Sequence, residues 1–220
     1  MDNEIPHYPA HMTREQQREA KERRNGLASA IKLGSKRHGW RHSGGFLYRQ
    51  HGNWFVDASV HPLWQSGVLA RLHIKPMSID PLFWRIVGLP ENEQLPLSFR
   101  ARGAWTVRMS EIEAHLAPKI AALDLLADGF WTWAAEQLAL CETKSIDGLL
   151  DEIVRLGPRR HFAAAEICLR LLNGDREGAL ELCADHGPYD AGGFSAGKRT
   201  FFDMAAEWIA TSGQIKVLSH

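Results

Sequence analysis

Strict two-residue alternation constrains this chain more than any other feature of its sequence. Trp54, Val56, Ala58 and Val60 alternate with Phe55, Asp57, Ser59 and His61. After a turn, Val68, Ala70, Leu72 and Ile74 alternate with Leu69, Arg71, His73 and Lys75. A side chain that repeats every second position marks β-strands with one buried and one mostly polar face. Phe46–Gln50 precedes them, joined to Trp54–His61 by the short Gly-containing loop His51-Gly52-Asn53, which predicts a hairpin pairing Gln50 with Trp54. Two further alternating segments, Leu97, Phe99 and Ala101, then Trp105, Val107 and Met109, extend the pattern. The expectation is an antiparallel sheet of about five strands.

The flanking segments read as helix. Thr13-Arg-Glu-Gln16 fits a capping box, and a polar helix is predicted from there to about Lys32, with a thin apolar stripe at Ala20, Leu27 and Ile31. Residues 1–12 read as a disordered leader, and the basic, Gly-rich segment Gly34–Gly45 as a short strand and turn around Trp40. Asp80 followed by Pro81 predicts an N-cap and first turn, opening a short helix through Val87 that ends at Gly88. From Ser110 the apolar period changes to that of a helix: Ser110-Glu-Ile-Glu113 resembles a second capping box, with Ile112, Leu116, Ile120 and Leu123 following. Further helices are predicted over Phe130–Cys141, Ile146–Leu156, Arg159–Leu172, Asp175–Asp185 and Thr200–Thr211. Arg159–Leu172 and Asp175–Asp185 form a single tetratricopeptide-style hairpin across Asn173-Gly174, with no second copy to make a solenoid. The fold class is therefore α+β, with residues 13–109 carrying a helix and the antiparallel sheet. Residues 110–220 form a helical half packed on that sheet as one compact unit.

Charge separates the halves. Between Thr13 and Gln50 ten Lys/Arg face three Glu, and between Met109 and Asp190 fifteen Asp/Glu face seven Lys/Arg, although the whole chain is neutral. Each half is thus expected to steer partners of opposite sign, unless the two neutralise each other by packing. Eight Trp exceed ordinary usage and supply core or interface anchors. No apolar run approaches the roughly 20 residues of a membrane span, and the polar start of the chain shows no signal-peptide pattern. Three Cys at 141, 168 and 183 lack metal-ligand spacing and read as buried thiols of a reducing compartment, so a cytoplasmic protein without a membrane partner is expected.

Four constellations bear on chemistry. The polar sheet face gathers Arg49, Asp57, Ser59, His61, Arg71, His73 and Lys75, with Asp57, His61 and His73 as acid/base candidates. Cross-strand pairing of Asp57 with Arg71, His73 or Lys75 accounts for the same residues as sheet stabilisation, and no nucleophile elbow accompanies them. Arg49, Asp57, His61, Arg71, His73 and Lys75 are therefore assigned to binding rather than catalysis. His7/His11 and His38/His42 are i, i+4 pairs but sit on no convincing helix, and His61 and His73 could converge across a hairpin with no Glu or third His at a companion spacing, so neither metal nor cofactor is expected. Gly192-Gly-Phe-Ser-Ala-Gly197-Lys198 has P-loop spacing, yet Arg199 stands where a magnesium-ligating Ser or Thr belongs, which argues against nucleotide hydrolysis. The run Lys32, Lys36, Arg37, His38, Trp40, Arg41, Phe46, Tyr48, Arg49 has the basic–aromatic interleaving of single-strand binders, while its alternation makes the rings core residues.

The segment Gly34-Ser-Lys-Arg-His-Gly39, with Phe46-Leu-Tyr48-Arg49 and Trp54-Phe-Val56 after it, resembles an uncharacterised bacterial domain family over about residues 30–75. That family carries a Gly-aromatic-basic-basic-x-Gly turn before a Tyr-Arg strand. Its members are small α+β cytoplasmic proteins, some standing beside polymorphic toxins as candidate immunity proteins. The resemblance implies no catalytic residues. The expected function is a non-enzymatic protein-binding protein, in the family's terms an immunity protein that occludes a toxin. An acid/base enzyme on the sheet face and a nucleic-acid binder acting through the basic half are the alternatives.

Overall fold

A computed structural model describes residues 12–43, 46–63, 67–99, 110–116, 122–156, 163–186 and 195–211. Helix α1, Arg14–Ser35, begins at the expected capping box: the Gln16 N–H donates to Thr13 Oγ1 (3.2 Å), and the Thr13 N–H donates to Gln16 Oε1 (2.8 Å). It buries only Leu27, Ile31 and Ser35. Its end is a Schellman-type closure, in which the Trp40 N–H reaches the Ser35 carbonyl (2.8 Å) and the Gly39 N–H the Lys36 carbonyl (3.2 Å). Gly39 sits at φ 74°, where a Cβ would be strained.

Five strands follow in a meander: β1 Arg41–Ser43, β2 Phe46–His51, β3 Trp54–Pro62, β4 Val68–Pro76 and β5 Ser110–Leu116, lying in the order β1-β2-β3-β4-β5. The first pair is antiparallel, Arg41 opposite Tyr48 and Ser43 opposite Phe46. The hairpin after β2 differs from expectation. Strand pairing includes His51, so only Gly52, at φ 57°, and Asn53 form the loop. A two-residue connection does not produce the Gln50–Trp54 register that a three-residue loop implied.

The fifth strand is the larger correction. Ser110–Glu113 does not open a helix: Ile112, Ala114 and Leu116 are half-buried while Glu113 and His115 are exposed, a period of two. The capping-box spelling is coincidental, since Arg71 Nε of β4 donates to Glu113 Oε1 at 2.5 Å. Conversely, Leu97–Phe99, predicted as strand, forms a helical turn after the 3-10 helix Pro90–Gln94. Ala101, Trp105, Val107 and Met109 lie outside the described residues, as do residues 1–11 of the leader and Ile120.

Helix α2, Ile79–Ile86, has Ser78 rather than Asp80 as its N-cap, and Ser78 makes no side-chain cap bond. Asp80 lies within the first turn, fully buried, and its carboxylate accepts a hydrogen bond from buried Lys75 Nζ. Gly88, at φ 77°, follows the helix as expected.

The helical half contains α3 Leu123–Cys141, α4 Ile146–Leu156, α5 Ala163–Leu172, α6 Arg176–Asp185 and α7 Phe201–Thr211. The turn between α5 and α6 uses Gly174 at φ 80°, and Asp175 caps α6 by accepting from the Gly178 N–H at 2.9 Å. Gly197, at φ 64°, turns a small hairpin between β6 Ser195–Ala196 and β7 Arg199–Thr200. The Gly-Lys pair of the P-loop spelling is therefore a hairpin turn and not the entry to a phosphate-cradling helix.

Contacts divide the chain into two compact units that alternate along the sequence. The first comprises the described residues within Met1–His51, Val56–His73 and Glu111–Glu142; the second, those within Gly52–Phe55, Ile74–Ser110 and Thr143–His220. In the first, α1 packs on α3 around buried Trp40, Phe130, Trp131 and Trp133. In the second, α2, α5 and α7 gather about Phe83, which stacks on Phe201 at 5.6 Å. Cys141, Cys168 and Cys183 are all buried and free, and burial pushes the Cys183 thiol up to about 11.

Candidate interaction surfaces

The sheet's polar side splits into separate pairs. Asp57 and His73 meet across β3 and β4, with His73 Nδ1 2.9 Å from Asp57 Oδ1 and both side chains largely buried. Further along β3, His61 Nε2 lies 3.1 Å from Ser59 Oγ on the accessible surface. Partial burial holds the His61 imidazole below its ordinary value, assisted by the Arg71 and Arg24 guanidiniums. Arg71 pairs with Glu113.

This geometry bears directly on the acid/base reading. A hydroxyl nucleophile works through one imidazole bonded both to it and to a carboxylate. Here Ser59 meets His61 while Asp57 meets His73, so the residue types of a triad are present but divided between two rings. Of the six residues assigned to binding, the sheet joins Asp57 to His73, while His61 meets Ser59 and Arg71 meets Glu113. Lys75 is only 2% exposed, its ammonium held by Asp80 and 5.2 Å from the Phe55 ring centre. Arg49 serves the turn after α1: Nη1 donates to the His38 carbonyl at 3.2 Å, and its guanidinium lies 5.9 Å from the Trp40 ring centre.

The depressed pKa of His61 has a measurable consequence. A base whose folded pKa lies below its unfolded value binds fewer protons when folded, so its contribution falls as pH drops below the unfolded value of about 6.5. In a His61→Gln variant the loss of Tm between pH 7.5 and 5.5 is expected to be smaller than in the parent. Equal losses would show that His61 is not held neutral.

A different surface stands out on α3. From Leu123 to Cys141 this helix contains no Lys or Arg, and its outward positions carry Asp124, Asp128 and Glu136 beside Leu125, Ala135 and Leu140. Leu125 and Leu140 are 52% and 55% exposed, and a Cβ on Gly129 would meet nothing within 4 Å. Glu142 extends the acidic line past the C-terminus, with His51 Nε2 at 3.0 Å. An acid at that end opposes the helix dipole, so this charge is not placed for helix stability. The sequence located an acidic half without choosing a face; the spacing of buried Leu126, Phe130, Ala134 and Leu138 is the signal that defines the opposite, outward side.

A shallow concavity of about 200 Å³ lies between Ile86, Val87 and Gly88 on one side and Met204, Trp208 and Thr211 on the other, with the Arg199–Glu207 pair at its rim. It is below the ~300 Å³ at which small-molecule sites begin, and holds none of the sequence-selected acid/base residues. Among the described residues no cluster of His, Cys, Asp and Glu is arranged to hold a metal ion. None of their helices is long and apolar enough to cross a membrane. No family model, curated protein or solved structure matches this chain.

Proposed function

We propose that this chain is a non-enzymatic binding protein whose outward α3 face receives a basic protein partner. The observation that carries the reading is that face itself: three carboxylates and two exposed leucines on a helix without a single cation. Opposite potential speeds encounter and fixes register, while Leu125 and Leu140 supply apolar contact at its two ends. The divided Ser59–His61 and Asp57–His73 pairs argue against hydrolysis on the sheet. The resemblance read in the sequence over about residues 30–75, to a family with candidate immunity proteins, makes a toxin the proposed partner. Three buried, free thiols suit action in the cytoplasm.

The test begins with capture by the intact chain from native lysate at ~50 mM salt. The identified partner is then purified and titrated against the parent and an Asp128→Lys/Glu136→Lys variant. The double reversal is expected to weaken binding at least about tenfold, equivalent to about 1.4 kcal/mol. Recovery of the chain alone, or equal affinity of parent and variant, overturns the proposal.

A further inference from the structure

The first unit also carries a surface of opposite character. No Asp or Glu occurs between Glu22 and Asp57. Within that interval Lys32, Lys36, Arg37 and His38 lie at the last turn of α1 and its closure, and Arg41 and His42 on β1; all six are exposed. None of their side chains meets a carboxylate among the described residues. Elsewhere Arg71, Arg85, Lys144, Arg170 and Arg199 each have a carboxylate partner.

Helix capping explains only part of this. Cations at a helix C-terminus answer a partial charge of about half an electron, whereas four Lys/Arg and two His gather here, and Arg41 and His42 lie beyond the helix on the edge strand. The scaffold beneath them is rigid. His38 stacks on buried Trp131 at 4.7 Å with ring planes 9° apart, Arg49 holds the His38 carbonyl, and the Gly39 closure returns the chain to β1. Cations set on a fixed turn lose less freedom when they bind.

We infer that this basic end binds nucleic acid through the phosphate backbone, without reading bases. Trp40 and Trp131 are 4% and 3% exposed, so the indoles that would stack on bases are sealed in the core. What remains accessible is charge, which recognises phosphate regardless of sequence. Strand addition by an acidic peptide is less favoured, because the edge strand β1 offers only three residues of backbone.

The experiment is fluorescence anisotropy of the intact chain with labelled 20-nucleotide DNA, single-stranded and duplex, from ~50 to ~200 mM KCl at fixed pH. With four Lys/Arg engaged, log K against log salt is expected to fall with a slope of about −3.5 for duplex and about −3 for single strands, for any sequence. Lys36→Glu/Arg37→Glu should weaken binding at least about tenfold and flatten the slope by about 2. Lys32→Gln/Arg41→Gln provides a second, milder pair with the same direction. No binding at ~50 mM KCl, an unchanged slope in both folded variants, or displacement by poly-glutamate or anionic vesicles at equal charge concentration overturns the inference. Asp128→Lys/Glu136→Lys should retain DNA binding, and Lys36→Glu/Arg37→Glu should retain the basic partner. Failure of this inference is thereby separable from failure of the α3 reading.

Discussion

Replacing Lys75 with Met is expected to lower the unfolding free energy by about 3–5 kcal/mol, among the largest effects of any single substitution in this chain. Lys75 and Asp80 are 2% and 0% exposed, and they pair between the end of β4 and the first turn of α2. Removing the ammonium takes the countercharge from a buried carboxylate, which costs far more than the pair contributes while intact. Asp80→Leu is expected to cost a similar amount by removing the countercharge of the buried ammonium. The decisive comparison is Lys75→Met/Asp80→Leu, which removes both charges and is expected to recover most of the loss. Urea unfolding of the four proteins measures this; additive losses in the double variant would show that the two groups do not act as a buried pair.

The second large effect is expected at Trp131, where truncation to Ala should cost about 3–5 kcal/mol through lost burial and the cavity left behind. Trp131 lies on the inner side of α3, edge-on to Phe130 at 4.8 Å and tilted against Trp40 at 6.3 Å. A methyl group on Gly34 would collide with its Nε1, so α1 and α3 approach closely at this point. Trp131→Phe is expected to cost much less than Trp131→Ala. It keeps a ring under His38, and the Nε1–H that it removes meets no acceptor among the described residues. Near-equal costs for Phe and Ala in thermal and urea unfolding would sink this account of the site.

Much of this fold was legible because local chemistry and tertiary packing agree. The Thr13 capping box, the bounds of β3 and β4, the turn at Asn173-Gly174 and helices α4 and α7 fall where the residues place them, within one or two positions, although Trp54–Ala58 of β3 are buried on both faces rather than alternately. The errors arose where two readings shared one spelling. Ser110-Glu-Ile-Glu-Ala-His-Leu satisfies both a capping box and a two-residue alternation, and the neighbouring Arg71 decides between them. Asp80-Pro81 spells a helix start, but a buried ammonium claims the carboxylate that capping would use. The candidate site was legible to a lesser degree. Cross-strand contact of Asp57 with His73 was among the expected pairings. The withdrawal of Lys75 into the core was not, because its partner stands five residues on, outside the alternating pattern.

The spatial order of the strands has a consequence for how the chain reaches its native state. Strands β1 to β4 are joined by short connections, whereas β5 pairs with β4 only after residues 77–109 have intervened. Local hairpins need little loop closure and form early; the β4–β5 pairing must recover the entropy of a much longer excursion. On the ribosome, β4 leaves the exit tunnel well before β5 is available. During that interval its outer edge, the unpaired backbone N–H and C=O groups of Val68–Pro76, faces a crowded cell. The Arg71–Glu113 contact then belongs to the step that closes this window, which makes β5 a guard against misassembly as well as the last rung of a sheet.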